Sequence, residues 1–462
     1  MYTKLFNNQK HFFNTHQTKQ YHFRKNQLLI LKSNILKFEK EIANALYLDL
    51  GKSFEESYMT EIGMVIKEIN YQIKNLKKNM KPIKKKSPIT IFPAKSFLYP
   101  EPLGTVLIIA PWNYPFLLSI QPLVGALAAG NTAIIKPSEY SINTTKIIKQ
   151  IINESFNDEY VSVVEGEVYE TEQLLKNSFD YIFFTGSTNV GKIIMNHASK
   201  HLTPVTLELG GKSPAIIYND ANIDLAAKKI AFGKLINAGQ TCIAPDYLMI
   251  QEGNLETFIK CFDKYVAKFY NEPLKNNNYP KIISNKHYLR LIKLMENENI
   301  IYGGQYNNQK ISPTLIKVTN NNTLIMQEEI FGPILPIITF KTHQEVLTYL
   351  SQLEKPLATY VFTKNKNYQK NHLSKHSSGG IVFNDTLIHF INDNLGFGGV
   401  GSSGMGKYHG EESFKTFTHY KAVVNKKEFF DLDVRYHPYN DKKVKIYKKV
   451  NRWKYDKIKR KS

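Results

Sequence analysis

Cysteine is nearly absent: Cys242 and Cys261 are the only two in 462 residues. That excludes a disulfide scaffold, their surroundings show no metal-ligand spacing, and a reducing cytoplasm is the simplest setting. No metal is expected. No secretory leader is expected, since MYTKLFNNQKHFFNTHQTKQ has no apolar core and no cleavage pattern follows. One long uncharged apolar stretch exists, Thr105 to Gly130. Pro111, Pro115 and Pro122 interrupt it, and Asn113 and Gln121 add polar groups, so a strand, a loop and a helix are expected there instead of a membrane span. Acidic residues are scarce, with 40 against 61 Lys and Arg for a formal charge of +21. Such an excess raises nucleic acid or anionic membrane as partners. It is concentrated at the end, where Asp441 to Ser462 holds eleven cations and two acids.

What is present is an alternating pattern. Residues 1 to about 80 read as helices, with Leu28, Leu29, Leu31, Ile35, Leu36 and Phe38 near helical spacing and a second such pattern from Glu61 to Lys77. Pro82, Pro88 and Pro93 punctuate a Lys-rich connector. From Gly104 short apolar runs (TVLIIA, NTAIIK, YVSVVEG, DYIFFTG, TPVTLELGG) alternate with helical segments. A second alternation follows from SPAIIYND through YLMIQEG, LPIITF and ATYVFT to GIVFND. Continuous apolar strands between helices imply parallel sheets covered on both faces. The expected fold is therefore α/β, with two doubly wound α/β lobes joined near Gly210 and Gly211 and a cleft between them for chemistry.

Several segments in this frame carry chemistry-bearing residues. In NAGQTCIAPDY, Gly239, Gln240 and Thr241 make a tight polar turn that leaves Cys242 outside a regular core position, open to a substrate. Cys261, in the amphipathic segment ETFIKCFDKY, reads as a packing thiol. Glu208 ends an apolar strand before two glycines, where a carboxylate is costly unless it is used or satisfied by its neighbours. Asn113 lies in the proline-bounded APWNYP after the first strand, as a turn residue or as a ligand group. GSTNVG follows a strand and opens a helix, so its amides can face an anion, although the chain lacks a GxGxxG fingerprint after the first strand. Lys136 and Glu139 in IIKPSE read alone as a solvent-exposed strand end, and Glu329 and Phe331 in EEIFGP as an acidic loop before a proline.

Together and in this order, these motifs resemble the aldehyde dehydrogenase family, especially its class 3 branch, from about residue 20 to about residue 425. The resemblance implies that Cys242 attacks the aldehyde carbon, that Glu208, thirty-four residues earlier, is the general base, and that Asn113 helps hold the carbonyl oxygen. It implies a cofactor, NAD or NADP, held by Lys136, Glu139, Gly186, Ser187, Gly191, Glu329 and Phe331. A carboxylate near the ribose favours NAD, but class 3 relatives often accept both, and the choice stays open. The late motif reads GFGGVGSSGMG, with Gly396 where the family usually has proline, a departure affecting loop stiffness more than chemistry. THYKAVV resembles the strand through which family members build a bridging element, which implies a homodimer. The expected domains are 1–80 with 103–207 for the cofactor, 208–417 for catalysis, 81–102 with 418–435 for bridging, and 436–462 as a basic tail.

The tail mixes its cations with Ile446, Tyr447, Trp453, Tyr455 and Ile458, which fall into two sectors of a helical wheel and form no single apolar face. It is either a solvated basic segment or one drawn to anionic lipid. The leading expectation is an enzyme oxidising a lipophilic aldehyde, aliphatic or aromatic, to its carboxylate. The rival is a membrane-binding or nucleic-acid-binding protein that keeps the scaffold, of which the nucleic-acid form is the weaker.

Overall fold

The computed structural model describes residues 2–320 and 322–459, with side chains described as far as Arg452. Residues 460–462 and the side chains of Trp453, Tyr455 and Ile458, which the tail reading used, lie outside the described residues.

Two sheets organise the larger part of the chain. In the first, strands Thr105–Ile109, Thr132–Lys136, Val161–Val163, Tyr181–Thr185 and Val205–Glu208 run parallel, and the short Gly404–Met405 pairs antiparallel with Val205–Glu208. Thr105–Ile109 is central: the chain passes to one side through Thr132–Lys136 and Val161–Val163, then returns to the other side at Tyr181–Thr185. This reversal is a topological switch point, where the loops leaving adjacent strands diverge and open a crevice at their carboxyl ends. Thr105–Ile109, Thr132–Lys136 and Tyr181–Thr185 are buried along their whole length, which accounts for their unbroken apolar sequences.

The second sheet has seven strands in the order Ile300–Tyr302, Thr314–Lys317, Ile334–Phe340, Tyr247–Gln251, Pro214–Ile217, Ala358–Phe362 and Gly380–Phe383. All its pairs are parallel except the first. Ile300–Tyr302, Thr314–Lys317 and the helix Asn285–Met295 were not read from sequence, because their apolar runs are short and sit among Asn and Lys.

The suspect stretch from Thr105 resolves into strand Thr105–Ile109, a bend, and helix Pro115–Ala129, every residue of which is buried. An all-round apolar helix belongs in a protein interior as readily as in a bilayer. Among the described residues no helix is long and apolar enough to cross a membrane. At the N-terminus, helices Tyr21–Lys37 and Glu39–Leu50 bury Leu28, Leu31 and Ile35 but leave Leu29 and Leu36 exposed. The second early pattern forms helix Gly63–Asn79, preceded by a π-helical turn at Tyr58–Ile62.

The chain divides into two compact units, Met1–Asn79 with Pro102–Thr418, and Met80–Glu101 with His419–Ser462. The first contains both sheets. The second contains a three-stranded sheet in which Ala94–Pro102 lies between Ile83–Lys85 and Thr418–Lys426, with Lys421 and Glu101 paired at 2.5 Å. Helix Asp441–Lys459 follows, exposed along most of its described side chains.

Candidate active site

The loop bearing Cys242 is built from an unusual backbone. After helix Ile223–Leu235, Asn237, Ala238 and Gly239 all take left-handed conformations, with φ of 51°, 49° and 74°. Asparagine and glycine tolerate that region, and alanine is strained there. At Gly239 a side chain is excluded outright, because a Cβ would lie 2.3 Å from the carbonyl oxygen of Gly332. Gln240 then pins the turn: its Nε2 donates to the carbonyls of Asn237 and Lys281, and its Oε1 accepts from the amide of Ile283, each at 3.0 Å.

Cys242 follows, half-buried. Burial pushes its thiol pKa well up, the charges of Glu329 and Glu208 act in the same direction, and the amides of Cys242 and Ile243 oppose them. Without a positive charge or a proton acceptor brought into the cleft, the sulfur stays protonated.

Asn113, in the bend after Thr105–Ile109, is buried beside this loop. Its Nδ2 donates to the Gln240 carbonyl at 3.0 Å, which leaves its second N–H for another acceptor. Next to it, the Tyr114 hydroxyl shares a hydrogen bond of 2.7 Å with Thr241 Oγ1.

Glu208 closes strand Val205–Glu208, with its main chain held by the Gly186 amide at 3.0 Å. The residue is 3% exposed, and among the described residues neither carboxyl oxygen has a hydrogen-bond partner. Burial therefore holds its pKa well above the carboxylate range. A buried carboxyl with no donor is costly, and such a group is a mark of a reactive site.

Glu329 reaches over Gly210: a Cβ there would lie 2.1 Å from its Oε2. Burial and then the charge of Asp246 push the Glu329 pKa up to about 8, opposed by the hydrogen bond from the Gly211 amide and the positive charges of Lys212 and Arg290. The segment around it is tied down by Lys212, which donates to the carbonyls of Ile325 (2.9 Å) and Glu328 (2.8 Å) and pairs with Asp246. Arg290 donates to Ile330 O at 2.5 Å, and Asp246 accepts the Ile330 amide at 2.8 Å. Phe331 takes φ of 53° and meets Trp112 edge-to-face at 5.4 Å, with His287 4.8 Å from the same indole.

Along the first sheet, Ser187 caps helix Thr188–Ser199, so the helix begins three residues before Gly191. Gly191 packs so tightly that a Cβ would lie 2.7 Å from Leu209 Cδ2. Lys136 is not the solvent-exposed strand end that its sequence suggests when read alone. It is buried, with Nζ donating to Pro137 O at 2.8 Å, and burial lowers its pKa. Glu139 does face solvent. Cys261 sits half-buried beside Asp224, which raises its thiol pKa along with burial, and not in a fully packed core position.

The structure thus brings Glu208 and Glu329 within electrostatic reach of Cys242 and ties Asn113 to the Gln240 carbonyl two residues before it, while Gly186 bonds the Glu208 carbonyl and Gly191 packs on Leu209. Lys136 and Glu139 stand two strands away from Glu208's neighbour Tyr181–Thr185. Glu56, Lys52, Glu61, Lys212, Arg290 and Asp246 support the site and were not singled out from sequence. Lys212 directly follows TPVTLELGG and Asp246 lies inside NAGQTCIAPDY, so a signal for them was present. Among the described residues no cluster of His, Cys, Asp and Glu is placed to hold a metal.

The sequence profile of the aldehyde dehydrogenase family matches residues 4–423. The chain is 47% identical over 442 residues to 4,4'-diaponeurosporen-aldehyde dehydrogenase of Staphylococcus aureus, covering 95% of this chain and 96% of that one. It is 43% identical to aldehyde dehydrogenase family 3 member A2 of Mus musculus, covering 94% and 90%. Among solved structures, a substrate-bound state of Staphylococcus aureus AldH superposes with a TM-score of 0.95 at 46% identity, covering 97% of this chain and 99% of the other.

Proposed function

The chain belongs to the aldehyde dehydrogenase family, in its class 3-like branch, and on that premise we propose that it oxidises a lipophilic aldehyde to the carboxylate through a thioester on Cys242. The family's cofactor is NAD or NADP. The observation that carries the proposal is the buried, unpartnered carboxyl of Glu208 within electrostatic reach of a half-buried thiol.

In the proposed cycle Cys242 Sγ gives up its proton to a solvent water and adds to the aldehyde carbon, the carbonyl electron pair moving to oxygen to form an ionised thiohemiacetal. The free N–H of Asn113 Nδ2 and a backbone amide stabilise the oxygen that gains charge. The carbonyl re-forms as the carbon–hydrogen bond breaks and leaves a thioester. The oxidised nicotinamide, when bound, supplies the hydride acceptor and a positive charge in the cleft. Glu208 then takes a proton from water, the resulting hydroxide attacks the thioester carbon, and the carbon–sulfur bond breaks with its electron pair going to Sγ, releasing the carboxylate and restoring the Cys242 thiolate. The residues present fit a dinucleotide. The Gly186–Ser187 turn at a helix N-terminus suits a pyrophosphate, the buried Lys136 suits a sugar hydroxyl, and Glu329 with Phe331 suits the nicotinamide end.

Lipophilic substrates are favoured by the branch and by the aldehyde in the name of the Staphylococcus aureus relative. The proposed homodimer is supported by strand Thr418–Lys426, an edge strand of its small sheet with exposed Val424, a ready template for pairing. Val424→Pro is expected to shift the sedimentation coefficient to that of a monomer, and an unchanged value argues against pairing through this edge. Two free thiols support a cytoplasmic setting. Exposed Lys445, Lys448, Lys449 and Arg452 on one face of the terminal helix support peripheral contact with anionic membrane. Co-sedimentation with phosphatidylserine vesicles, with and without residues 441–462, tests that contact.

The activity is tested by reduced-cofactor formation, without coenzyme A, from short aliphatic, long aliphatic, aromatic and polyene aldehydes. Turnover fastest on the long or polyene members is expected. Silence across the panel with Cys242 intact would sink the proposal.

A further inference from the structure

Beneath the Cys242 loop lies a buried charge system that belongs to none of the motifs. Lys52 and Glu61 are paired at 2.6 Å with both side chains wholly buried. A buried ion pair is weak evidence of stabilisation, because desolvating the two charges offsets most of their attraction. The remaining contacts of this pair all point to the reactive site. Lys52 Nζ also donates to the Asn113 carbonyl at 3.2 Å and lies 3.9 Å from the centroid of the Tyr114 ring. The other oxygen of Glu61 accepts the amides of Phe116 at 2.9 Å and Leu117 at 3.0 Å. These amides open helix Pro115–Ala129, whose N-cap residue Tyr114 makes no side-chain cap of its own. Glu61 thereby supplies from a distant segment the anionic cap that the helix lacks.

The clamp extends to the nucleophile. The Asn113 carbonyl held by Lys52 also accepts from Asn237 Nδ2 at 2.8 Å, and the same Nδ2 reaches Gln240 O at 3.1 Å. The Asn237 amide donates to Glu56 Oε1 at 2.7 Å. Glu56 and Glu61 lie in adjoining turns, Phe54–Ser57 and the π-helical Tyr58–Ile62. π turns are rare and concentrate at functional sites. Gly63, which ends this one, has room for no side chain: a Cβ would lie 2.9 Å from Tyr58 O.

We infer that the buried Lys52–Glu61 pair is a positioning device for the reaction, fixing the main chain on both sides of Asn113 and, through Asn237, the left-handed turn that presents Cys242. The inference rests on the proposed roles of Cys242 and Asn113. Lys52 and Glu61 act through those residues and touch no reacting atom.

The test uses the full chain with Lys52→Met, the isosteric Glu61→Gln, and the apolar double variant Lys52→Met/Glu61→Leu. Thermal midpoint, cofactor dissociation constant, KM and kcat are measured for each, with the rate of Cys242 alkylation by iodoacetamide in a Cys261→Ala background. Because small misplacements of reacting groups cost rate and not ground-state binding, kcat is expected to fall about 10-fold to 100-fold while KM and the cofactor constant stay within about twofold. In the double variant the midpoint recovers toward the parent and kcat does not, a split that a purely structural pair would not give. If the double variant does not fold, Glu61→Gln decides the matter, since it keeps the shape and one acceptor while removing the charge. A folded variant with kcat within about threefold of the parent overturns the inference. Cys242→Ser is the control: if turnover survives it, the proposed nucleophile is wrong, whereas if turnover is lost there but intact in the pair variants, only the positioning role fails.

Discussion

Among the described residues none donates to either carboxyl oxygen of Glu208, and burial keeps its pKa well above the usual carboxylate range. A general base works only when deprotonated, so thioester hydrolysis should quicken as pH rises through this elevated pKa and fail below it. Glu208→Gln is expected to lower steady-state kcat about 100-fold or more while a first burst of reduced cofactor persists. Stopped-flow absorbance resolves the two phases, and loss of the burst together with turnover would assign Glu208 to the first half of the reaction instead. Cys242 was legible because its motif is short and contiguous. Its burial and its coupling to Glu329 were not, because Glu329 is far away in the chain and reaches the cleft only across Gly210.

At the scale of elements, the decisive piece is the turn from Asn237 to Gly239, three left-handed residues between a helix and the nucleophile. Gly239→Ala combines an unfavourable φ with a Cβ placed against Gly332 O, a backbone atom that cannot swing aside. The expected cost is about 1–3 kcal/mol or more, seen as a lower thermal midpoint and an altered rate of Cys242 alkylation. Parental values for both would mean that the turn is less constrained than its geometry implies. The glycine stands out in sequence as part of a polar turn. The handedness of its neighbours does not, because alanine ordinarily avoids that region and only the packed surroundings impose it.

At the scale of the molecule, buried histidines contribute to the acid side of stability. His372 bonds Tyr218 and packs edge-on to His343, and burial followed by the charges of His343 and His376 lowers its pKa to about 3. His409 is likewise lowered to about 3 and His389 to about 4, each chiefly by burial. The folded state therefore binds fewer protons at these sites than the unfolded chain. Their contribution is complete above the unfolded value near pH 6.5 and is lost as pH falls toward the folded values. Glu329 acts oppositely, its raised pKa removing stability as pH climbs from the ordinary carboxylate range to about 8. A difference experiment isolates the first effect: between about pH 7 and pH 5 the thermal midpoint of His372→Gln should fall less than that of the parent. Parallel curves would remove His372 from the account.

Sequence alone determined the α/β class and the family, because strand alternation and short contiguous motifs are local properties that survive without coordinates. Tertiary structure decided the rest. It buried Lys136 where its sequence context reads as an exposed strand end, left both Glu208 oxygens without donors among the described residues, and set Lys52 and Glu61 under a loop that follows nearly two hundred residues later. Those outcomes depend on which distant segments the chain brings into contact, and on the desolvation that contact imposes, neither of which is encoded in the spacing of neighbouring residues.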